Sequence, residues 1–203
     1  KYYKEVIRAV SSSKKMMNFR LKQFKKINKD FKLRDKKIIE IGCGKGDYLR
    51  LLDKIYKNAY GLEGSFKNFK IAKKKKLKIF YGFPEKDDYK FTNFKFDCFF
   101  IFSYLEHIPD LKTFLKCIYN NLNPNAVGVV EVPNFDMILS KKLYSEFIID
   151  HLYYFTKKTL TILLENNGFR VIKITEIFDN YILSAKVKRI DPLKLEDFSQ
   201  TNL

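Results

Sequence analysis

The chain has 203 residues and is 46% hydrophobic, enough to bury the core of one ordinary domain and to exclude a disordered or membrane-embedded class. Its formal net charge is +17, yet only six of the 40 basic residues are Arg. Lys, Asn, Ile, Phe and Tyr are abundant together, the signature of an AT-rich genome, whereas sites that read nucleic acid favour the bidentate fork of Arg.

In chain order, apolar residues recur at helical spacing among the lysines of Tyr2 to Ile27, which predicts one or two leading helices within residues 1–35, broken at Ser11-Ser12-Ser13. Strands and helices then alternate. Lys37–Ile41 is a β-branched run ending in glycines, Tyr48–Tyr56 carries a helical stripe, Tyr60–Glu63 is strand-like, and Phe66–Lys74 reads as a helix. Lys78–Tyr81 is a third strand. Phe96–Phe102 is a fourth, apolar throughout and so expected to be buried on both faces. The longest apolar run, Cys98 to Phe102, is far short of the ~20 residues that span a bilayer. Leu111–Leu122 is a helix, and Val127–Val132 a fifth strand stopped by Pro133. Residues 133–155 break the alternation and read as a lid-like insertion over the sheet's upper edge. Thr156–Asn167 is a helix with Thr156 as N-cap and Gly168 as its stop. Val171–Ile177 and Tyr181–Val187 form a closing hairpin through Asp179-Asn180, and residues 191–203 are a peripheral tail. This order predicts an α/β fold: a Rossmann-like, doubly wound, mostly parallel seven-stranded sheet with an antiparallel final strand pair, in one domain over residues 1–190. Three cysteines (Cys43, Cys98, Cys117) without CxxC spacing, and no signal-peptide pattern, lead to the expectation of a cytoplasmic, reducing location.

The strongest chemical signal is Glu40-Ile41-Gly42-Cys43-Gly44-Lys45-Gly46-Asp47, a buried strand feeding a turn with glycine at every second position and then a helix. Glycine there allows positive φ and close approach of a ligand to the backbone. A dinucleotide fingerprint would need its third glycine where this chain has Asp47. A carboxylate at that helix start would repel a pyrophosphate but suits a ligand with an ammonium group and no phosphate, such as S-adenosyl-L-methionine. Glu63, 17 residues beyond Gly46, ends the second strand where an acid can accept hydrogen bonds from both ribose hydroxyls.

Glu40-x-Gly42-x-Gly44-x-Gly46, Gly61-Leu62-Glu63, Phe96-Asp97-Cys98-Phe99-Phe100 and Leu105-Glu106-His107-Ile108-Pro109-Asp110 together resemble successive motifs of class I S-adenosylmethionine-dependent methyltransferases. The resemblance spans residues 36–187. It implies that Glu40, Gly42, Cys43, Gly44, Gly46 and Asp47 hold the methionine part, that Glu63 and Gly64 hold the ribose, and that Phe83 flanks the adenine. It also implies that Phe102, Ser103 and Tyr104 line the methyl-transfer site. Asn123-Pro124-Asn125 departs from the Pro-Gly-Gly turn usual in the family. Neither the Asn-Pro-Pro-Tyr of adenine methyltransferases nor a Pro-Cys nucleophile is present. Val132-Pro133-Asn134, Asp150-His151-Leu152-Tyr153-Tyr154-Phe155-Thr156 and Leu163-Leu164-Glu165-Asn166-Asn167-Gly168-Phe169 are similar to methyltransferases that decorate nucleotide-linked sugars and bacterial surface or capsular polysaccharides.

An alcohol acceptor keeps its proton at neutral pH and benefits from a general base. Both histidines follow an acid, as Glu106-His107 and Asp150-His151. His107 lies just past the fourth strand, and His151 lies in the insertion. With Tyr104 they are the expected acceptor-site residues. No metal is expected, because adjacent residues rarely both reach one ion. The reading is a methyltransferase that O-methylates a small, sugar-linked acceptor. Its rivals are an RNA-modifying or nucleic-acid-binding protein using the basic surface, and a catalytically silent partner of another methyltransferase. Oligomeric state is left open.

Overall fold

The computed structural model describes residues 13–190. Helix α1 (Lys14–Phe31) starts where the Ser13 hydroxyl accepts the Met16 amide and stops at Lys32, which turns left-handed at φ 52°. It is followed by β1 (Lys37–Ile41), α2 (Asp47–Asp53), β2 (Asn58–Glu63), α3 (Phe66–Lys74), β3 (Ile79–Tyr81) and β4 (Phe96–Phe102). Then come α4 (Leu111–Asn120), β5 (Leu122–Pro133), α5 (Phe135–Ser140), α6 (Lys157–Asn166), β6 (Phe169–Ile177) and β7 (Ile182–Arg189). The seven strands pair in the order β3-β2-β1-β4-β5-β7-β6. The first five are mutually parallel, and β7 runs antiparallel to both neighbours. The expected doubly wound sheet with an antiparallel final pair is present.

The two faces of the sheet bury separate cores. Ile39, Phe99, Ile101 and Val130 face α4 and α6, whereas Ile38, Cys98, Phe100 and Val129 face α1 and α2. Every residue of β4 except Asp97 is buried, as the apolar run Cys98–Phe102 requires. The Met16, Phe24 and Ile27 side chains of α1 are buried on this second face, each stabilising by about 1.5–3 kcal/mol. Between them Arg20 and Glu131 form a buried ion pair, and the Gln23 amide and Ser184 hydroxyl also donate to Glu131. The guanidinium lies 4.3 Å from the centre of the Phe102 ring and 5.0 Å from that of Tyr48.

Several expected boundaries move. Helix α2 ends at Asp53 rather than Tyr56. Helix α4 stops at Asn120, because the Asn121 side chain is bonded to the Tyr89 and Cys117 carbonyls and the Phe91 amide. β5 then starts at Leu122, five residues before the expected Val127, and takes in Asn123-Pro124-Asn125. Asn125 has φ 62°, the pairing slips between Phe96 and Cys98, and Asn123 donates to Asp97 across the slip. The insertion is partly regular, with α5 and a 3₁₀ turn at Tyr144–Glu146. One helix is described in the leading region; the rest of that expectation (residues 1–12) and the tail at 191–203 lie outside the described residues.

Removing one partner of a buried ion pair strands the other charge, at a cost of about 3–5 kcal/mol. Glu131→Ala is therefore expected to lower unfolding free energy by about that amount in urea titration. Arg20→Met with Glu131→Leu should recover most of the loss. A single-variant change below about 1 kcal/mol would show that the pair does not anchor α1.

Candidate functional site

Strand order reverses between β1 and β4: the chain leaves β1 toward β2 and β3 on one side, then returns to β4 on the other. In open α/β sheets the crevice outside the carboxyl ends at such a switch point is where ligands bind. The glycine turn emerges from β1 at this edge. Gly42, Gly44 and Gly46 all have positive φ, at 69°, 57° and 80°. Gly42 and Gly46 are also needed for space: a Cβ on Gly42 would sit 2.5 Å from the Tyr104 ring, and one on Gly46 2.4 Å from Leu77. Gly44 differs. A Cβ there would meet nothing within 4 Å, so its backbone faces open space.

Glu63, at the end of β2, is buried, and its carboxylate spans two loops. One oxygen accepts the Gly44 amide at 2.7 Å, the other the Ser65 amide at 2.8 Å. These two amides fix the orientation of a group able to accept about four hydrogen bonds. Gly64 is covered by Phe83, whose ring atoms approach to 3.3 Å of a Cβ placed there. Glu40 is fully buried one strand position from Ile41, on the α1–α2 face.

The side chains of three residues expected at the cofactor are engaged with the protein itself. Asp47 gives its carboxylate to Lys75, whose ammonium also reaches the Lys45 carbonyl, because the end of α3 lies beside the start of α2. The Phe102 ring is 1% exposed and packs under Arg20 and Tyr48, so it belongs to the core and does not line the crevice. Cys43 is buried with its sulfur 2.6 Å from where a Gly61 Cβ would lie; it packs the β1–β2 junction. Ser103 is half-buried at the end of β4, with φ 44° and its amide on the Glu131 carbonyl. All three cysteines are buried and none is disulfide-bonded.

Past β4, the Tyr104 ring lies over Gly42 and against Phe114, and the chain then makes a 3₁₀ turn at Leu105–His107. Glu106 and His107 are both buried there. The insertion is tied to this turn: the Leu152 and Tyr153 amides reach the Glu106 carbonyl at 2.9 and 3.3 Å, and the Tyr153 hydroxyl donates to the Pro109 carbonyl. His107 Nδ1 lies 2.8 Å from the Asp150 carbonyl, and the His107 and His151 rings meet edge-on with centres 4.8 Å apart. Burial, and next the His107 imidazole, hold His151 below the ordinary histidine pKa, against the Glu146 and Asp150 carboxylates. The two histidines thus come together, and Asp150 takes part through its backbone carbonyl.

Glu106 is the functional candidate that sequence reasoning underweighted. Its signal in the sequence is the acid–histidine doublet, and the tight turn at Leu105–His107 brings its carboxylate near both imidazoles. Away from this edge, a recess of about 480 Å³ lies along α4 toward the start of β6, lined by Lys112, Lys116, Tyr119 and Gly168 among others. It holds none of these groups.

The crevice residues fit a nucleoside with a charged amino-acid end, as in S-adenosylmethionine: an open glycine turn, a fixed carboxylate for a ribose, and Phe83 beside it. No helix among the described residues is long and apolar enough to cross a membrane. A family model described as a methyltransferase domain matches residues 13–174. Two curated proteins are similar. One is a ubiquinone biosynthesis O-methyltransferase from Pelagibacter ubique, 30% identical over 118 residues (56% of this chain, 49% of the relative). The other is a tRNA U34 carboxymethyltransferase from Aliarcobacter butzleri, 29% identical over 191 residues (85% of this chain, 60% of the relative). The chain thus matches about half to three fifths of the length of these relatives. An S-adenosylmethionine-dependent methyltransferase structure from Clostridium acetobutylicum aligns with TM-score 0.68 at 15% identity, covering 94% of this chain and 97% of that one. With its sheet order, its glycine turn and a family match over most of its length, the chain belongs to the methyltransferase-domain family.

Proposed function

We propose that this protein is an S-adenosylmethionine-dependent methyltransferase that methylates a hydroxyl of a small acceptor, such as a nucleotide-linked sugar or a surface-polysaccharide precursor. The observation that carries the reading is the Glu63 carboxylate, fixed by two backbone amides beside the open Gly44 turn at the β1/β4 switch point. The cofactor supplies a methyl group on a positively charged sulfur, which needs alignment more than activation. Gly44 gives that ligand access to the backbone, Glu63 accepts from its ribose hydroxyls, and Phe83 packs beside its adenine. The imidazoles of His107 and His151 occupy the acceptor side, where an alcohol's proton has to be managed. An oxygen acceptor is supported by the O-methyltransferase relative. The sugar class is supported by the motif resemblance in the insertion and α6.

A second reading, an RNA acceptor, is favoured by the tRNA-modifying relative, which aligns over 85% of the chain, and by the charge of +17.

Calorimetry with S-adenosylhomocysteine, the demethylated product, is expected to give micromolar affinity, on the order of −8 kcal/mol. Glu63→Ala should weaken it by about 1.5–3 kcal/mol, the worth of hydrogen bonds to a charged group. Tight NAD binding with no affinity for the methionine nucleosides would overturn the reading.

Replacing either His107 or His151 by Ala is expected to lower kcat on the true acceptor by about 10²–10⁴, with product affinity nearly unchanged. Full turnover by both variants would remove the imidazoles from the chemistry.

The two acceptor classes separate by salt. A small-molecule enzyme should bind mixed-sequence RNA only in the non-specific range, with Kd about 10⁻⁴–10⁻⁶ M at physiological ionic strength. A sequence-selective complex surviving about 200 mM salt would establish the RNA reading instead.

A further inference from the structure

We infer that Glu106, His107 and His151 form a binding site for one divalent transition-metal ion, which clasps the insertion onto the turn after β4. A carboxylate oxygen of Glu106 and one ring nitrogen from each histidine all lie within 4.8 Å of one another. An ion at about 2.0–2.2 Å from each ligand needs them roughly 3–3.5 Å apart, so side-chain shifts of about 1 Å close the set.

The hydrogen bonding selects the ligand atoms. A backbone carbonyl only accepts, so the Asp150 oxygen 2.8 Å from His107 Nδ1 requires the proton on Nδ1. That leaves the lone pair on Nε2. A ring N–H held by a backbone carbonyl is the usual support for a metal-binding imidazole. On His151 the Nδ1 atom is buried and has no hydrogen-bond partner among the described residues. A buried ring nitrogen without a partner is costly, and coordination would satisfy it.

Two imidazoles and one carboxylate suit zinc, cobalt, nickel, manganese or ferrous iron, whereas magnesium and calcium prefer all-oxygen shells. Three protein ligands leave at least one position open, as in catalytic rather than structural sites. On the proposed methyltransferase reading, that position faces the acceptor side, where an oxygen bound to the ion would lose its proton more easily. Ion binding itself does not depend on that reading.

Glu106 and His107 sit on one loop and His151 on the other, so coordination would hold the insertion down. The Leu152, Tyr153 and Asp150 backbone contacts already align the two loops.

The test is titration of chelator-treated full-length protein with cobalt(II), followed by visible absorption and calorimetry. The expected result is one ion per chain at micromolar or tighter Kd. His151→Ala should weaken it by at least 10–100-fold, the range seen even for residues that only support a ligand. Hydrogen exchange at residues 148–154 should slow when the ion is added to the unmutated protein and not in the variant. Circular dichroism and S-adenosylhomocysteine affinity of His151→Ala report whether it is folded. If His107→Ala, which alters a buried residue, does not fold, His151→Ala alone decides. Affinity weaker than about 1 mM, or equal binding by folded His151→Ala, overturns the site. Loss of nucleoside binding by the unmutated protein would sink the methyltransferase reading and leave the cobalt result standing.

Discussion

Much of this site depends on one carboxylate. Glu63 accepts the Gly44 amide from the loop after β1 and the Ser65 amide from the loop after β2. Without it, the Gly44 and Ser65 amides would lose their acceptor, and the buried Ser65 N–H left unsatisfied would cost about 1–3 kcal/mol. With it, the glycine turn and the start of α3 become one rigid rim. The same Ser65 caps α3 with its hydroxyl on the Asn68 amide, so the rim and the helix share a residue. A ligand that bonds Glu63 meets a group whose orientation is already settled, and little side-chain freedom is lost on binding.

The opposite rim is held by packing. Tyr104 can lie on the turn after β1 only because Gly42 lacks a Cβ. Beneath it, α1 is locked to β5 through Arg20 and Glu131, and the Glu131 carbonyl receives the Ser103 amide where β4 ends. One residue of β5 therefore ties down both the leading helix and the loop that carries Glu106 and His107. Changes at Glu131 would be felt in the crevice without touching any ligand.

The fold was largely legible because its local signals agree with one another. β4 and α3 fall where the pattern puts them: five unbroken apolar residues from Cys98 to Phe102 admit few alternatives, and Ser65 marks a helix start. The beginning of β5 was hidden because Asn123-Pro124-Asn125 has turn chemistry, and a bulge held by the Asp97–Asn123 bond across strands makes it a strand. At the site, the glycines and Glu63 could be read from spacing alone. The Asp47 ion pair could not, since its partner Lys75 lies 28 residues away, just past the end of α3. The burial of Phe102 was not legible locally, because only the position of α1 shows that its face is covered. Spacing indicated that the acid–histidine doublets mattered. It gave no sign that Asp150 would serve through its backbone.

The position of β7 between β5 and β6 also bears on how the chain is made. Synthesis delivers β6 before β7, yet β6 pairs in the sheet only with β7. Until Arg189 has left the ribosome, the long edge of β5 stays uncovered, and an open edge is a template for pairing with other chains. The insertion is rooted at the same place: Asn134 bonds the Tyr181 carbonyl through its amide and the Asn180 carbonyl through its side chain. The rim that includes the glycine turn and Glu63 can therefore form while the chain is still growing. The segment beside the histidines has its anchor only when the hairpin is complete, so a nascent chain forms the rim around the glycine turn before that segment is fixed.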